Sequence, residues 1–467
     1  MPRIQDAPVN AALNAALALG CTIAPYSTFD RKHYFYADLA QGYQITQQRA
    51  PFARAGQVSI RFEDGYLKSE DEALDVPILH VQLEQDTAKL TRVALDTVGG
   101  NTHHANLLDF NRAGVALIEI VSAPVMHTPE QAGAYVRKVR DLLRCVGASD
   151  GNMNEGSLRC DANVSIHKIG TPFGVRCEIK NVNSVKFMMQ AIAYEIQRQY
   201  KEIASGKVVH QESRGFDEAS GKTYSMRSKE LAEEYRYMPE LNLGPLYVDE
   251  KRVAVLRAAL PELPDARHAR LRDQYGLSIR DVNVLTRVNA EDDGVDAPAS
   301  MRMRNAAYTY HDHAVEFFEV LVQRGIAPQA AVNWTIHHLL RQLNAASIPF
   351  KYSPIPPSLL ADVIELVEQE SITAETAQKL LGDMVKTQTI PVDLREFVAR
   401  HNMAKLSEEE LHTLCANVIA DHPKDVEAIR NGKSKAMMKL VGAAMRSSNG
   451  RADAQAAAQR LQALIEL

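Results

Sequence analysis

The chain has 467 residues, of which 46% are hydrophobic and 24% charged, and a formal net charge of −5. That length is too great for one ordinary domain and the apolar content is ample for real cores, so two to four domains are expected. No apolar run reaches the length of a membrane span, and the overall charge gives no sign of a nucleic-acid binder, although it can hide local asymmetry. Five cysteines (Cys21, Cys145, Cys160, Cys177, Cys415) are scattered, odd in number and without a CxxC pair. This points to a reducing compartment and against both a disulfide framework and a structural zinc site.

Pro2 to Pro8 lack the basic segment and apolar core of a signal peptide. The following NAALNAALALG predicts an amphipathic helix that stops at Gly20. Strand signals dominate from residue 21 to about 125, with Tyr-rich and Val/Ile-rich segments broken by Gly, Pro and Asp. Ala132 to Val146 reads as a helix ending at Gly147, and Val185 to Ser205 as another ending at Gly206. From about Pro261 the chain becomes helical and Ala/Leu-rich. An irregular insert over 289–310, acidic first and then basic, reads as a surface loop. A last shift falls near Arg400. The expected divisions are 1–260, an antiparallel-sheet α+β domain; 261–399, helical; and 400–467, a small all-helical tail.

The segment 151–184 carries the densest polar chemistry. Residues 158 to 166 alternate strictly: Arg159, Asp161, Asn163 and Ser165 share one face, while Leu158, Cys160, Ala162, Val164 and Ile166 share the other. After a loop with Gly170, Pro172 and Gly174, Arg176, Glu178 and Lys180 take the polar face, and Val175, Cys177 and Ile179 the apolar one. A hairpin with a solvated face would show the same alternation. Asn and Asp are poor strand formers, however, and further amides flank the hairpin at Asn152, Asn154, Asn181 and Asn183. Other carboxylates on predicted strands and loops are Glu84, Asp86, Glu119, Asp217 and Glu218. Carboxylates with Lys, Arg and Asn suit a Mg²⁺-dependent phosphoryl transfer, because hard oxygens hold Mg²⁺ and cations offset phosphate charge. Gly221–Thr223 spells GKT, but Gly215 stands one residue too far upstream for a phosphate loop, so the segment reads as a turn. No GxGxxG follows a strand, and HExxH and GxSxG are absent. In the tail, Arg430, Lys433, Lys435, Lys439, Arg446 and Arg451 lie in a stretch without an acid, which fits contact with a nucleic-acid backbone.

Long ordered motifs run along most of the chain: DRKHYFYADLAQGYQITQQ at 30–48, NRAGVALIEIVS at 111–122, EGSLRCDANVSI at 155–166, EIKNVNS at 178–184, YRYMPE at 235–240, LPELPDAR at 260–267, NW at 333–334 and NGKSKAMMKLVG at 431–442. In these the chain resembles the B subunits of the glutamyl-tRNA(Gln) amidotransferases, and HYFYADL, QITQQ and LEQDTAK look more like the mitochondrial branch. The resemblance implies a first domain that is a cradle of the glutamine synthetase/guanido kinase type binding ATP and Mg²⁺, then a helical domain and a small helical tail reaching toward tRNA. It implies phosphorylation of the γ-carboxylate of glutamate on tRNA(Gln), followed by amidation with ammonia from a partner amidase, the A subunit, with a small C subunit or an equivalent third subunit. It also implies a mitochondrial location, with no transit peptide readable in this chain.

On that resemblance Asp161, Lys180, Arg159 and Glu155 are assigned to the chemistry, and Asn163, Glu178 and Asn181 to the nucleotide. Glu84 and Glu218 are assigned to Mg²⁺, and Arg430, Lys433, Lys435 and Lys439 to tRNA. There are departures. The family opens with a strand of the type IGLEVH, and this chain begins downstream of it. The usual HLEED is Gln82-Leu83-Glu84-Gln85-Asp86 here, and the Glu that usually follows IVS is Ala123. These departures keep a tRNA-binding scaffold without kinase activity as the alternative. A free-standing carboxylate–amine ligase, a third reading, would leave the tail without a role.

Overall fold

The computed structural model describes residues 3–34, 39–96, 102–228, 235–288, 314–430 and 435–466. The expected insert at 289–310 lies outside them. The chain divides into two compact units, Met1–Arg270 and Leu271–Leu467. The first mixes helices with mostly antiparallel sheets; the second is helical.

The first unit opens with helix α1 (Asp6–Ala18), then strands β1 (Thr22–Ile23), β2 (Tyr26–Ser27), β3 (Asp30–His33), β4 (Tyr43–Thr46), β5 (Ala53–Ile60), β6 (Leu74–Gln85), β7 (Lys89–Asp96), β8 (Thr102–Asp109) and β9 (Ala116–Ser122). Helix α2 (Pro129–Cys145), the hairpin β10 (Ala162–Val164) and β11 (Cys177–Ile179), helix α3 (Val185–Ala204), and β12 (Glu212–Asp217), β13 (Lys222–Ser228), β14 (Met238–Pro239) and β15 (Leu246–Tyr247) follow.

The largest antiparallel sheet has the order β1-β5-β6-β9. Val9, Leu13 and Ala16 of α1 and Val139, Leu142 and Leu143 of α2 form one core with Ala53, Val58, Ile78, Val81 and Leu83 of that sheet. Burying each of the Val, Leu and Ile side chains contributes roughly 1.5–3 kcal/mol. Helix α2 starts where Thr128 caps it, its hydroxyl accepting from the Gln131 amide at 3.1 Å, with Pro129 in the first turn. The second sheet has the order β10-β11-β12-β13, with β11 parallel to β12 and the other pairs antiparallel. Met188, Ala191 and Ile192 of α3 pack on Val164 and Ile179 of that sheet. A three-stranded sheet, β14-β3-β4, and the pairs β2–β15 and β7–β8 are the other sheets among the described residues, and a helix over Glu250–Ala258 follows them.

In the second unit, Phe317, Phe318, Leu321, Leu339, Leu360, Leu380 and Leu381 anchor one core, which extends to Val398. The tail helices Glu408–Asp421, Pro423–Arg430, Lys435–Ser447 and Ala454–Glu466 enclose another around Leu411, Cys415, Leu440, Ala444 and Leu461. No described helix is long and apolar enough to cross a membrane.

Candidate functional site: two carboxylates, a lysine and an arginine clamp

The first part of the site comes from a change of phase in β6. Val76 and Ile78 are buried in the core, so even-numbered residues point inward at the start of the strand. The pairing with β9 shifts between Ile78 and His80, and beyond it Val81 and Leu83 are the inward pair. A bulge does this because one extra residue inverts the two-residue alternation. Gln82 and Glu84 are thereby turned to the opposite face, where Glu119 of β9 stands directly across from Gln82. The Gln82 amide donates to Glu119 Oε2 at 2.8 Å and to Glu84 Oε1 at 3.2 Å, and the Thr46 hydroxyl donates to Glu84 Oε1 at 2.7 Å. Gln44 Nε2 sits 3.5 Å from Glu84 Oε2. Glu119 has part of its surface in water, yet protein crowds its carboxyl. Burial, then the neighbouring Glu84, push its pKa above the usual value, with Lys32 opposing.

The second part is the polar face of the hairpin. Asn163 pairs with Glu178 across β10 and β11, which places Asp161 opposite Lys180 one step further on. Lys180 Nζ lies 3.2 Å from Asp161 Oδ2 and 3.3 Å from Glu178 Oε1. Desolvation alone would lower the lysine pKa, but Asp161 and Glu178 outweigh it and hold the ammonium charged. Its backbone amide donates to the Arg214 carbonyl at 2.9 Å, so β12 fixes the strand end. Asn181 follows with a φ of +59°, a left-handed turn that asparagine tolerates.

The regular pairing is shorter than the alternation predicts. Only Ala162–Val164 and Cys177–Ile179 are strands. The chain crosses itself beyond them: a Cβ on Gly174 would lie 2.1 Å from the Ile166 carbonyl oxygen. Val175, expected on the apolar face, is exposed. Arg159 lies outside the strand and reaches Asp86, Nη2 to Oδ2 at 3.2 Å, while Arg112 adds a second contact to the same carboxylate at 3.4 Å. Asp86 directly follows β6, so this clamp ties the hairpin to the strand end that carries Glu84.

The remaining assigned residues are placed as follows. Glu155 is exposed in the turn before the hairpin. Glu218 is exposed in the turn between β12 and β13 and shares no hydrogen bond or ion pair with Glu84; of the GKT expected as a turn only Gly221 lies there, because Lys222 and Thr223 pair with Asp217 and Phe216 as the start of β13. Among the described residues no group of three or more His, Cys, Asp or Glu is arranged to hold a metal ion. Glu84 and Glu119 are the acidic pair that the fold brings together. In the tail, Arg430 Nε donates to the Ile465 carbonyl at 3.4 Å. Lys439 is exposed and 3.4 Å from Asp425, and Lys435 begins a helix. Lys433 lies outside the described residues. Burial raises the thiols of Cys21 and Cys177 to about 11 and that of Cys160 to about 12, so none of these is a thiolate nucleophile at neutral pH.

Composition and alternation give no sign of a buried network behind the hairpin. Glu195 of α3 is fully buried; Arg198 and Gln199 donate to it at 2.5 and 2.9 Å, and Thr223 donates at 3.0 Å. Arg214 Nε lies 3.2 Å from the same carboxylate. This network holds β12, and β12 in turn holds Lys180.

Residues 1–254 match the family model described as the GatB/GatE catalytic domain, and residues 316–465 match the GatB domain. A mitochondrial glutamyl-tRNA(Gln) amidotransferase B subunit from Mycosarcoma maydis is 42% identical over 97% of this chain and 77% of its own length. The aspartyl/glutamyl-tRNA(Asn/Gln) amidotransferase B subunit of a Synechococcus strain is 38% identical over 99% of this chain and 88% of its own. The mitochondrial B subunit of Danio rerio is 37% identical over 97% and 79%. The chain belongs to the GatB family, the B subunits of the tRNA-dependent amidotransferases.

Proposed function

We propose that this chain uses ATP to phosphorylate the γ-carboxylate of glutamate esterified to tRNA(Gln), within a mitochondrial amidotransferase that also contains a small C subunit, or its equivalent, together with the amidase A subunit. In this reading Met1–Arg270 is the ATP-binding cradle of the glutamine synthetase/guanido kinase type, and the tail contacts tRNA. A carboxylate is a poor acyl electrophile because oxide cannot leave. In the first step a γ-carboxylate oxygen bonds to the terminal phosphorus of ATP, and the bond to ADP breaks. Ammonia from glutamine then forms the C–N bond, and phosphate leaves with the electron pair of the C–O bond and takes up the surplus proton.

The observation that carries the reading is the Arg159–Asp86 clamp, which ties a charged Lys180 and its hairpin to the strand bearing Glu84. Phosphoryl transfer asks a protein mostly for positioning and for charge that offsets the phosphate. Lys180, held by Asp161 and Glu178, offers its remaining N–H to a phosphate oxygen without reorganising. In this reading Asn163, paired with Glu178 across the hairpin, and Asn181, next in the chain after Lys180, bind the nucleotide. The paired oxygens of Glu84 and Glu119, crowded enough to raise one pKa, are hard donors that fit Mg²⁺, which binds through one or two carboxylates together with substrate phosphates. When bound, the ion would offset phosphate charge; Gln82 and Thr46 orient the two carboxylates for it.

The test is ATP hydrolysis dependent on Glu-tRNA(Gln) in the reconstituted complex, with Asp161→Ala and Lys180→Ala. Each should lower the rate by more than about tenfold. A rate within about threefold of wild type, less than about 1 kcal/mol of barrier, would sink the site assignment. Tight tRNA binding with no tRNA-dependent ATP turnover in the wild-type complex would leave the scaffold reading standing instead.

A further inference from the structure

Above the acidic pair, the sheet β14-β3-β4 presents a row of three tyrosines with a lysine that no step so far uses. Tyr235 and Tyr237, which just precede β14, are 42% and 39% exposed. The Tyr235 ring meets Tyr34 edge-on at 6.0 Å between centroids and Tyr237 at 6.2 Å. Lys32 Nζ stands 4.8 Å from the Tyr235 ring centre and 5.8 Å from that of Tyr34. On the opposite face of β3, and apart from this row, Arg31 lies 4.3 Å over Tyr43, and His33 meets the same ring at 5.7 Å. Arg31 is itself fixed by a two-pronged bond to Glu240 at 2.8 and 3.0 Å. Single exposed aromatics are ordinary. Three rings in contact with a lysine beside two of them form a surface on which unpaired nucleic-acid bases stack, because every base has a π-face and each phosphate needs a counter-charge.

The row is joined to the candidate site. The Tyr34 hydroxyl donates to Gln44 Oε1 at 3.0 Å, and the amide of the same Gln44 donates to the Gln85 carbonyl at 2.7 Å and sits 3.5 Å from Glu84. Glutamate on a tRNA is esterified to the terminal ribose, so its base must lie within about one nucleotide of the reacting carboxylate. We infer that Tyr34, Tyr235 and Tyr237, with Lys32, stack the unpaired 3′-terminal bases of the tRNA beside the acidic pair. This rests on the reading given above. Three rings in series favour a single strand over the one adenine of ATP.

The experiment measures affinity of the intact amidotransferase complex, without ATP, for tRNA(Gln) and for the same tRNA lacking its unpaired 3′ nucleotides. Tyr235→Ala should weaken binding of intact tRNA about tenfold, within the range for loss of one stacked base. It should leave the truncated tRNA and the KM for ATP within twofold of wild type. Tyr235→Phe, which keeps the ring, should restore binding. Equal weakening toward both tRNAs would reduce Tyr235 to a structural role and overturn the inference. A raised KM for ATP with unchanged tRNA affinity would do so too, by placing adenine there. If Tyr235→Ala fails to assemble, Tyr237→Leu is measured in its place against the same outcomes. Because binding is read without ATP, a complex that never phosphorylates its tRNA would still show or lack the truncation difference, so failure of the chemistry and failure of the stacking are distinguishable.

Discussion

Glu119→Gln tests the acidic pair from two sides at once. The Gln82 amide bonds cap the separation of the Glu84 and Glu119 oxygens at about 6 Å. At that distance and an effective dielectric of about 20, like charges repel by about 2–3 kcal/mol; water on Glu119 screens this toward about 1 kcal/mol. A glutamine keeps the shape and an oxygen for Gln82 while removing the charge. The variant should therefore be more stable than wild type by about 1 kcal/mol at pH 7 without added Mg²⁺, a shift of about 2–4 °C in melting temperature. A carboxyl whose folded pKa is raised binds more protons folded than unfolded, so wild type loses stability as pH rises from about 4.5 through the raised value. The gap between variant and wild type should thus close at pH 4 and open toward neutrality. Thermal unfolding across pH measures it, and Glu-tRNA(Gln)-dependent ATP turnover should fall by at least about a hundredfold. A variant less stable than wild type at pH 7, or one with turnover within threefold, would refute the reasoning.

Lys138→Met should cost about 3 kcal/mol, because it removes a buried ammonium set between Asp64 at 2.5 Å and Asp265; turnover per folded molecule should stay within twofold. Burial alone would raise the Glu195 pKa, but bonds from Arg198 and Gln199 hold it below the usual range. Glu195→Gln should accordingly cost about 2–4 kcal/mol at pH 7, a difference that shrinks as pH falls below about 4.5 and through the depressed value, checked by denaturant unfolding. Lys439→Glu in the exposed tail should weaken tRNA binding and lower the magnitude of its logarithmic salt slope by about one, read from affinities at several salt concentrations.

The helix ends were legible because glycine alone adopts the left-handed turn cheaply: Gly20, Gly147 and Gly206 have φ of +69°, +66° and +77° just past α1, α2 and α3. The two faces of the hairpin were legible in Val164, Cys177 and Ile179, all buried, because a strand repeats every two residues. The bulge in β6 was not. Nothing in LDVPILHVQLEQ marks where alternation inverts, so the turning of Glu84 toward Glu119 emerges only from pairing with β9. Arg159 and Asp86 lie 73 positions apart, and a contact of that range depends on how the sheets assemble rather than on local pattern. The tyrosine row gathers residues 34, 235 and 237 from the two ends of the first unit, and no spacing rule connects them.

The most direct measurement is trapping of the acyl phosphate. The reconstituted complex is given ATP, Glu-tRNA(Gln) and hydroxylamine with glutamine withheld, so that any activated γ-carboxylate becomes a hydroxamate. The account predicts one glutamyl-hydroxamate tRNA for each ADP formed, and the loss of both products together in Lys180→Ala. Gln-tRNA(Gln) formed on adding glutamine without ADP, or ADP formed without hydroxamate, would contradict it.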